Sequence, residues 1–439
     1  MSPTLVGILG LLIMLAIFLT RMPVAYVMIL VGWVGFSSMI SVKGGLNLLS
    51  RNIYETFSSY GLTTIPLFIL MGQLAFNSGI GKRLYATAYK FLGSTRGGLA
   101  MATVTACTAF GAVCGSSPAT AATMATVGLP EMKRYHYADE LSSGSVASGG
   151  GLGMIMPPSV VLIVYGILTE QSIGALFVAG ILPAIVMTIL FIITIFVHCR
   201  LYPDQGPPGE TFTWGEKFRS LTGMGDTVLV FILVMAGLFF GFFTPTEAAA
   251  VGVFGVLAVS VVRRQLSWDG FVKSLYETLR TSCMVMFLIA GAVVLGKFLA
   301  VTRIPYDIAA WVGDLDLPPF LILATVVGVY LIGGCIMDAL ALVMLTIPIF
   351  YPIVITQLGY DPIWFGVIIV LVTQMGVITP PVGINVYVVY GVAQGAVGAG
   401  HGHDRFGLAP HGRLAVAAAL EGLARAGVHG RQAPVVAGR

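Results

Sequence analysis

Charge is scarce in this chain. Asp, Glu, Lys and Arg make up 10% of 439 residues, against roughly 25% in a soluble globular domain. A chain so poor in charge cannot clothe a water-facing surface, which excludes an ordinary soluble enzyme. The net charge of +4 provides no basic face for nucleic acid, and none is expected as a partner. Cysteine is sparse as well. Cys107, Cys114, Cys199, Cys283 and Cys335 are odd in number, scattered, and almost all inside apolar runs. They read as small packing residues, not as a disulfide or zinc set. No cleavable signal is expected, because PTLVGILGLLIMLAIFLT lacks a basic n-region and runs on into another apolar segment. Enzymatic motifs are missing too. GAVVLGKF at 291–298 has the spacing of a phosphate loop, but Phe298 stands where Ser or Thr is required and no strand precedes it. The serines of GSSP at 115–118 have no base to activate them, since His136 lies in a loop and His198 at a span end. An enzyme is not expected, nor a resident cofactor.

What the chain has is apolar length. It is 57% hydrophobic, and runs near the roughly 20 residues that cross the hydrocarbon recur from end to end. Spans are expected near 3–20, 22–42, 61–77, 173–199, 227–243, 246–262 and 282–301. The stretches 46–60, 80–92 and 265–281 mix charges with apolar residues at helical spacing and are expected to lie flat in the interface. With Arg21 inside, alternation also places inside the segments 82–96, 131–140, 200–226 and 263–280. Those inside segments hold fourteen Lys or Arg, while Lys43, Arg51 and Arg303 are the three outside. Positive charge marks the cytoplasmic side, so the N-terminus is expected outside.

Two remaining apolar regions do not fit a simple span. Residues 98–130 form two arms of about fifteen residues joined by GSSP, each short of the roughly 20 needed to cross. Residues 318–356 repeat the plan around CIMD at 335–338. Each is a candidate re-entrant hairpin, and each is followed by an apolar stretch broken by two prolines: GMIMPPSVVLIVYG at 153–166 and GVITPPVGINVYVVYG at 376–391. Five crossings separate the two units (142–169, 173–199, 227–243, 246–262 and 282–301), so the second enters from the opposite face. An inverted repeat of this kind marks an alternating-access transporter. The expected fold is an all-α polytopic membrane protein with an inverted repeat, two re-entrant helical hairpins and two Pro-Pro-broken helices.

Irregular backbone at membrane depth is tolerated only inside protein or along a cavity. The hairpin tips and the breaks are therefore expected to meet in the interior. Pro157, Pro158, Pro380 and Pro381 remove backbone donors and are expected to leave the carbonyls four residues upstream without partners. Single prolines and glycines in such helices usually serve packing, and Gly149–Gly151 could simply let two helices touch. The pairing of GxxxPP with a polar hairpin tip, twice over, is what points to a transport site. Ser116 and Ser117 offer hydroxyls. Asp338 is the one acidic residue placed at membrane depth, where a carboxylate marks an ion path or a partner; it also stands where a helix N-cap would. Thr373, Gln374, Thr379 and Asn385 supply neutral oxygens and amides. Sodium suits such oxygens, while half-helix N-termini suit a carboxylate.

GSSPATAATMATVGLPEMKRYHY, SGGGLGMIMPPSVVLIVYG, GGCIMDALALVMLTIPIFYPI and VTQMGVITPPVGINVYVVYG together resemble the large membrane subunit of the tripartite ATP-independent periplasmic (TRAP) transporters. The likeness runs from about residue 1 to 393. It implies a multi-pass protein of the bacterial inner membrane, working as a sodium-driven elevator in which a transport domain slides against a scaffold. It implies a small four-helix membrane partner and a soluble periplasmic protein that delivers substrate. It also implies cargo such as C4-dicarboxylates or sugar acids. Ser116, Ser117, Gly153, Gly334, Cys335, Asp338 and Thr373 match positions where the family's ion and substrate contacts cluster. Sodium is thus expected at Ser116, Ser117, Gly153, Gly334, Cys335, Asp338, Thr373, Gly376 and Thr379. Substrate is expected at Ser116, Ser117, Pro157, Pro158, Gln374, Pro380, Pro381 and Asn385. The domain division that follows is scaffold over 1–97 and 173–317, and transport repeats over 98–172 and 318–393. From 394 to 439 the composition turns to Gly, Ala, His and Arg. That tail reads as out-of-frame translation of GC-rich DNA in place of a last membrane helix, with a His-rich metal tail as the alternative. A stand-alone sodium–carboxylate symporter of the same architecture is the alternative function, and an ion channel would instead need a continuous polar pore.

Overall fold

The computed structural model describes residues 2–18, 20, 22–313 and 317–398. Every regular element among them is helical. The chain opens with α1 (Pro3–Phe18) and α2 (Val24–Met39), both shorter than their expected spans and separated by Pro23. The amphipathic α3 (Val42–Ser58) starts at Ser41, whose Oγ accepts from the Gly44 N–H at 3.0 Å. It meets the following helical segment, Gly61–Asn77, at 59°. That segment contains α4 (Thr64–Asn77), and α5 (Ile80–Leu92) then leads into the first hairpin.

The first hairpin is α6 (Gly98–Cys114) and α7 (Ser117–Arg134), followed by the broken pair α8 (Asp139–Ile155) and α9 (Val160–Leu168). The long α10 (Ile173–Leu201), α11 (Trp214–Phe239), α12 (Pro245–Val262) and α13 (Trp268–Val301) come next, then the short α14 (Ile304–Gly313). The second hairpin is α15 (Pro319–Ile336) and α16 (Ala339–Tyr351), which runs into a π-helical turn over Pro352–Gln357. The second broken pair is α17 (Pro362–Gly376) and α18 (Ile384–Gly398).

Three expectations change. The flat stretch 265–281 and the span 282–301 are one 34-residue helix, α13. At 1.5 Å per residue it is about 50 Å long, enough to cross about 30 Å of hydrocarbon and continue beyond it. Its counterpart in the first half breaks because SSYGLTTIP at 58–66 carries Gly61 and Pro66, and α13 has no proline. Secondly, both arms of the second hairpin are long enough to cross by length and composition, once α16 and its π turn are counted together as Ala339–Gln357. Length therefore does not decide re-entrance; the position of the tip does. Thirdly, the boundary drawn at 394 on composition falls inside α18, and the rest of the tail, with the missing last helix expected there, lies outside the described residues.

Burial separates inner from outer helices. The Asp139–Leu168 span is 83% buried, whereas Ile173–Leu201, Trp214–Phe239, Pro245–Val262 and Pro319–Ile336 are each 28% buried. The outer helices expose Leu182, Leu229, Phe254 and Ile332, side chains suited to lipid. One outer helix packs on an unexpected side: α10, grouped with the scaffold on sequence grounds, lies against α6, α8, α9 and α17.

Candidate transport site

Each hairpin closes on the broken helix of its own repeat through the same two devices. The first is a glycine pair. A Cβ on Gly111 of α6 would come 2.7 Å from the Gly153 Cα of α8, and one on Gly376 of α17 would come 2.6 Å from the Gly334 Cα of α15. Only bare backbone fits there, so Gly153 and Gly376 of the two GxxxPP motifs serve close approach. The second device is a hydrogen bond from break to tip. The Val160 N–H donates to the Gly115 carbonyl at 3.4 Å, and the Val382 N–H donates to the Cys335 carbonyl at 3.0 Å. Gly115 turns the first tip at φ 63°, against the Pro158 carbonyl.

Beside the tips, the two repeats are tied together through Asn385. Ser117 Oγ donates to Asn385 Oδ1 at 2.9 Å, and Asn385 Nδ2 donates to the Ala147 carbonyl at 3.0 Å. Asn385, at the start of α18, thus joins the first tip to α8. Further out, Tyr165 of α9 donates its hydroxyl to the Pro362 carbonyl at 2.5 Å.

Between the tips and the α4 and α13 walls lies a cavity of about 310 Å³. Ser116 and Ser117 reach it from one hairpin and Asp338, Ala339 and Leu340 from the other. Both tips therefore meet at one cavity, although the second is the less enclosed, with Ile336 57% exposed. The first residues of α7, α9, α16 and α18 line it together, and none of its lining residues is Lys, Arg or His. Helix N-termini present unsatisfied N–H groups and positive partial charge, a ready anion site. Ser159 caps α9 and Asp338 caps α16 through their side chains, whereas Ser116 makes no side-chain cap bond to α7.

Comparison with known proteins agrees with this architecture. Residues 11–418 match the family model for the DctM component of the tripartite ATP-independent periplasmic transporters. The chain belongs to the DctM family. It is 37% identical over 354 residues to the C4-dicarboxylate TRAP transporter large permease protein DctM of Pseudomonas aeruginosa, covering 80% of this chain and 82% of that one. It is 32% identical over 355 residues to the isethionate TRAP transporter permease protein DctMQ of Oleidesulfovibrio alaskensis, covering 80% of this chain and 55% of that longer one. In fold it is similar to the YdaH transporter of Alcanivorax borkumensis, with a TM-score of 0.58, 13% identity, and 83% and 84% of the two chains covered. The protein is a multi-pass membrane transporter component, as expected of a bacterial inner-membrane permease.

Among the residues singled out from sequence, this DctM chain brings Ser116, Ser117, Asp338 and Asn385 to the cavity wall. Pro157, Pro158, Gly153, Gly334, Cys335, Thr373, Gln374, Gly376, Thr379, Pro380 and Pro381 stand outside its lining. The breaks are not alike: Pro157 and Pro158 are buried, Pro380 and Pro381 exposed. Nor are the upstream carbonyls of the second break left without donors. Gly376 O accepts from the Thr379 N–H at 2.9 Å and Val377 O from the Asn385 N–H at 3.1 Å, so each keeps one lone pair free. Asp338 Oδ2 accepts from the Leu340 N–H at 3.0 Å, which makes it a cap as well as a cavity group. Thr373 Oγ1 and Cys335 Sγ donate to backbone carbonyls of their own helices, Ile369 O and Leu331 O, which leaves the Thr373 oxygen's lone pairs for a cation.

Two residues beside the site have buried polar atoms that the sequence pattern could not reveal. Thr120 is fully buried one turn into α7, and its Oγ1 finds no oxygen or nitrogen to bond. It faces Gly153 together with the Ser116 carbonyl, which a Gly153 Cβ would meet at 2.9 Å. Gln374, 2% exposed, lies against Gly151 with its Oε1 unpartnered. The amide of Gln374 stands out in the sequence even so. Thr120 carries no such signal, as one of several threonines at helical spacing in ATAATMATVG. Gln73 and Thr281 complete the cavity from the α4 and α13 side; they belong to segments that sequence reading assigns to the scaffold.

Proposed function

We propose that this chain imports a small organic anion, such as a C4-dicarboxylate, a sugar acid or a related carboxylate, together with sodium moving down its gradient. The observation that carries the reading is the convergence of four helix N-termini and two hairpin tips on one cavity without a cationic side chain. An anion there is held by backbone N–H groups and the Ser116 hydroxyl, with Ser117 able to join once it leaves Asn385, which suits reversible binding better than a buried Lys or Arg would. The two relatives above are named for C4-dicarboxylate and for isethionate, both small anions. Sodium is assigned to the oxygen-rich ground beside the first tip, where the Ser116 carbonyl and Thr120 Oγ1 face Gly153. A second ion is assigned to the corresponding ground of the second repeat around Gly334, Thr373, Gly376 and Thr379. Hard cations of this kind take carbonyl and hydroxyl oxygens.

The moving body in this reading is α6–α10 with α15–α18, and the scaffold is α1–α4 with α11–α13, so that α10 travels with the helices it packs against. A small four-helix membrane subunit completes the scaffold, and a periplasmic binding protein hands over the substrate. The test is uptake of labelled dicarboxylate into proteoliposomes holding both membrane subunits, with the binding protein added outside. Uptake should collapse when external sodium is replaced by choline and when the binding protein is omitted. Undiminished uptake in choline removes sodium coupling; undiminished uptake without the binding protein favours a stand-alone symporter.

A further inference from the structure

The connecting helix α5 carries a guanidinium that no described residue satisfies. Nε, Nη1 and Nη2 of Arg83 are all buried, and none has a hydrogen-bond partner among the described residues. The nearby carboxylate is already engaged, because Asp226 Oδ2 accepts from Arg263 Nε. Arg263 also donates from Nη2 to the Thr222 carbonyl at 3.3 Å. Burial first, and then the charge of Arg263, push the Arg83 pKa below its usual value, with Asp226 opposing. Two guanidinium groups therefore share one carboxylate, and the cluster keeps a net positive charge. On the same helix as Asp226, the Thr227 hydroxyl is buried and unpartnered too.

An arginine presents five donors in a fixed fork, and leaving them buried without acceptors is costly. The complement of such a fork is a phosphate or carboxylate, taken bidentately. The place decides which. The cluster lies where α5 meets the N-terminal half of α11 and the end of α12, segments that the charge distribution puts on the cytoplasmic side. Asp226 immediately precedes the apolar run 227–243 and Arg263 follows the run 246–262, so the cluster lies at the edge of the hydrocarbon. Basic pockets between helices on this side of a membrane take anionic headgroups.

We propose that Arg83, with Arg263, binds the phosphate of an anionic phospholipid of the inner leaflet, and that the bound headgroup fastens α5 to the α11–α12 pair. The ligand is the phosphodiester of an intact lipid rather than free phosphate, because Asp226 and Arg263 stand at the cytoplasmic ends of the apolar spans 227–243 and 246–262, the level at which lipid headgroups lie.

The experiment is thermal unfolding of the purified full chain in nanodiscs of phosphatidylcholine alone or with phosphatidylglycerol. The wild type should melt about 1–2 °C higher with phosphatidylglycerol, as expected for one or two paired basic groups in a chain of this length. Arg83→Gln should lose most of that difference, and Arg83→Lys should keep part of it. Asp226→Asn should enlarge it, because it releases Arg263 toward the lipid. Inorganic phosphate added to phosphatidylcholine discs should raise the melting temperature little; an equal rise would overturn the lipid as the source. Should Arg83→Gln not fold, Arg263→Gln gives the same reading. An unchanged lipid difference in both Gln variants, or its loss in Asp226→Asn, overturns the proposal and leaves Arg83 sharing Asp226 with Arg263.

Discussion

Thr120 and Asp338 are the two residues at which packing and ion binding pull apart. A buried hydroxyl without an oxygen or nitrogen partner costs about 1–3 kcal/mol, and Thr120 Oγ1 is one, with only the weakly bonding Cys114 thiol beside it. Replacing it by the near-isosteric Val removes that cost, so Thr120→Val should be as stable as wild type, or more so, without sodium. Its stabilisation by sodium should fall, with the midpoint concentration rising about tenfold for one lost oxygen ligand worth about 1.4 kcal/mol. Sodium titrations followed by melting temperature check both halves; an unchanged midpoint makes Thr120 a packing residue. Asp338 allows a similar separation. Asn caps a helix about as well as Asp, whereas Ala costs about 1 kcal/mol. Asp338→Asn should therefore keep the α16 cap and the melting temperature while uptake falls at least several-fold. Full uptake in Asp338→Asn would confine the carboxylate to its bond with the Leu340 N–H.

At the scale of elements, the two broken helices share a plan but not an environment. Both breaks dock on their own hairpin tip, through Val160 to Gly115 and Val382 to Cys335. Restoring N–H groups by Pro→Ala pairs lets the helix reclaim the upstream carbonyls and pulls the break off the tip. Both double variants, Pro157→Ala with Pro158→Ala and Pro380→Ala with Pro381→Ala, should therefore lose sodium-dependent stabilisation. They should differ in the absence of sodium. The first pair is buried and its removal leaves a void, so its melting temperature should fall further than that of the exposed second pair. Sodium-dependent melting of the two variants side by side is the measurement, and full stabilisation in both would reduce the breaks to packing features.

For the molecule as a whole, the question is whether α4 and the first hairpin slide past each other. They touch at a glycine. A Cβ on Gly72 would lie 2.9 Å from the Cys114 carbonyl oxygen and 3.3 Å from Cys114 Sγ. Gly72→Cys therefore sets a new thiol against a native one across the proposed sliding surface, close to the separation a disulfide requires. Oxidation of the G72C variant should join the introduced thiol to Cys114 once the helices part enough to clear the new Cβ from the Cys114 carbonyl oxygen and from Cys114 Cα at 3.1 Å, and uptake should stop and return on reduction. Uptake that continues through the cross-linked protein would show that these two bodies do not move relative to each other.

Apolar run length was enough to establish a polytopic helical protein, because insertion into lipid depends on little else. The doubled order of hairpin and Pro-Pro break was legible for the same reason: missing N–H groups and polar tips inside apolar runs leave marks that survive without any tertiary contact. What the residues do at the site was not legible. Thr120 and Thr373 are both buried threonines, yet Thr373 bonds the Ile369 carbonyl while Thr120 bonds no oxygen. Pro157 and Pro380 begin identical dipeptides, yet one is buried and the other exposed. Those differences come from which helix lies alongside, through contacts such as Gly111 with Gly153 and Asn385 with Ser117. The partners are far apart in the chain, so local pattern carries no record of them, and only the tertiary structure decides which oxygen remains available to an ion.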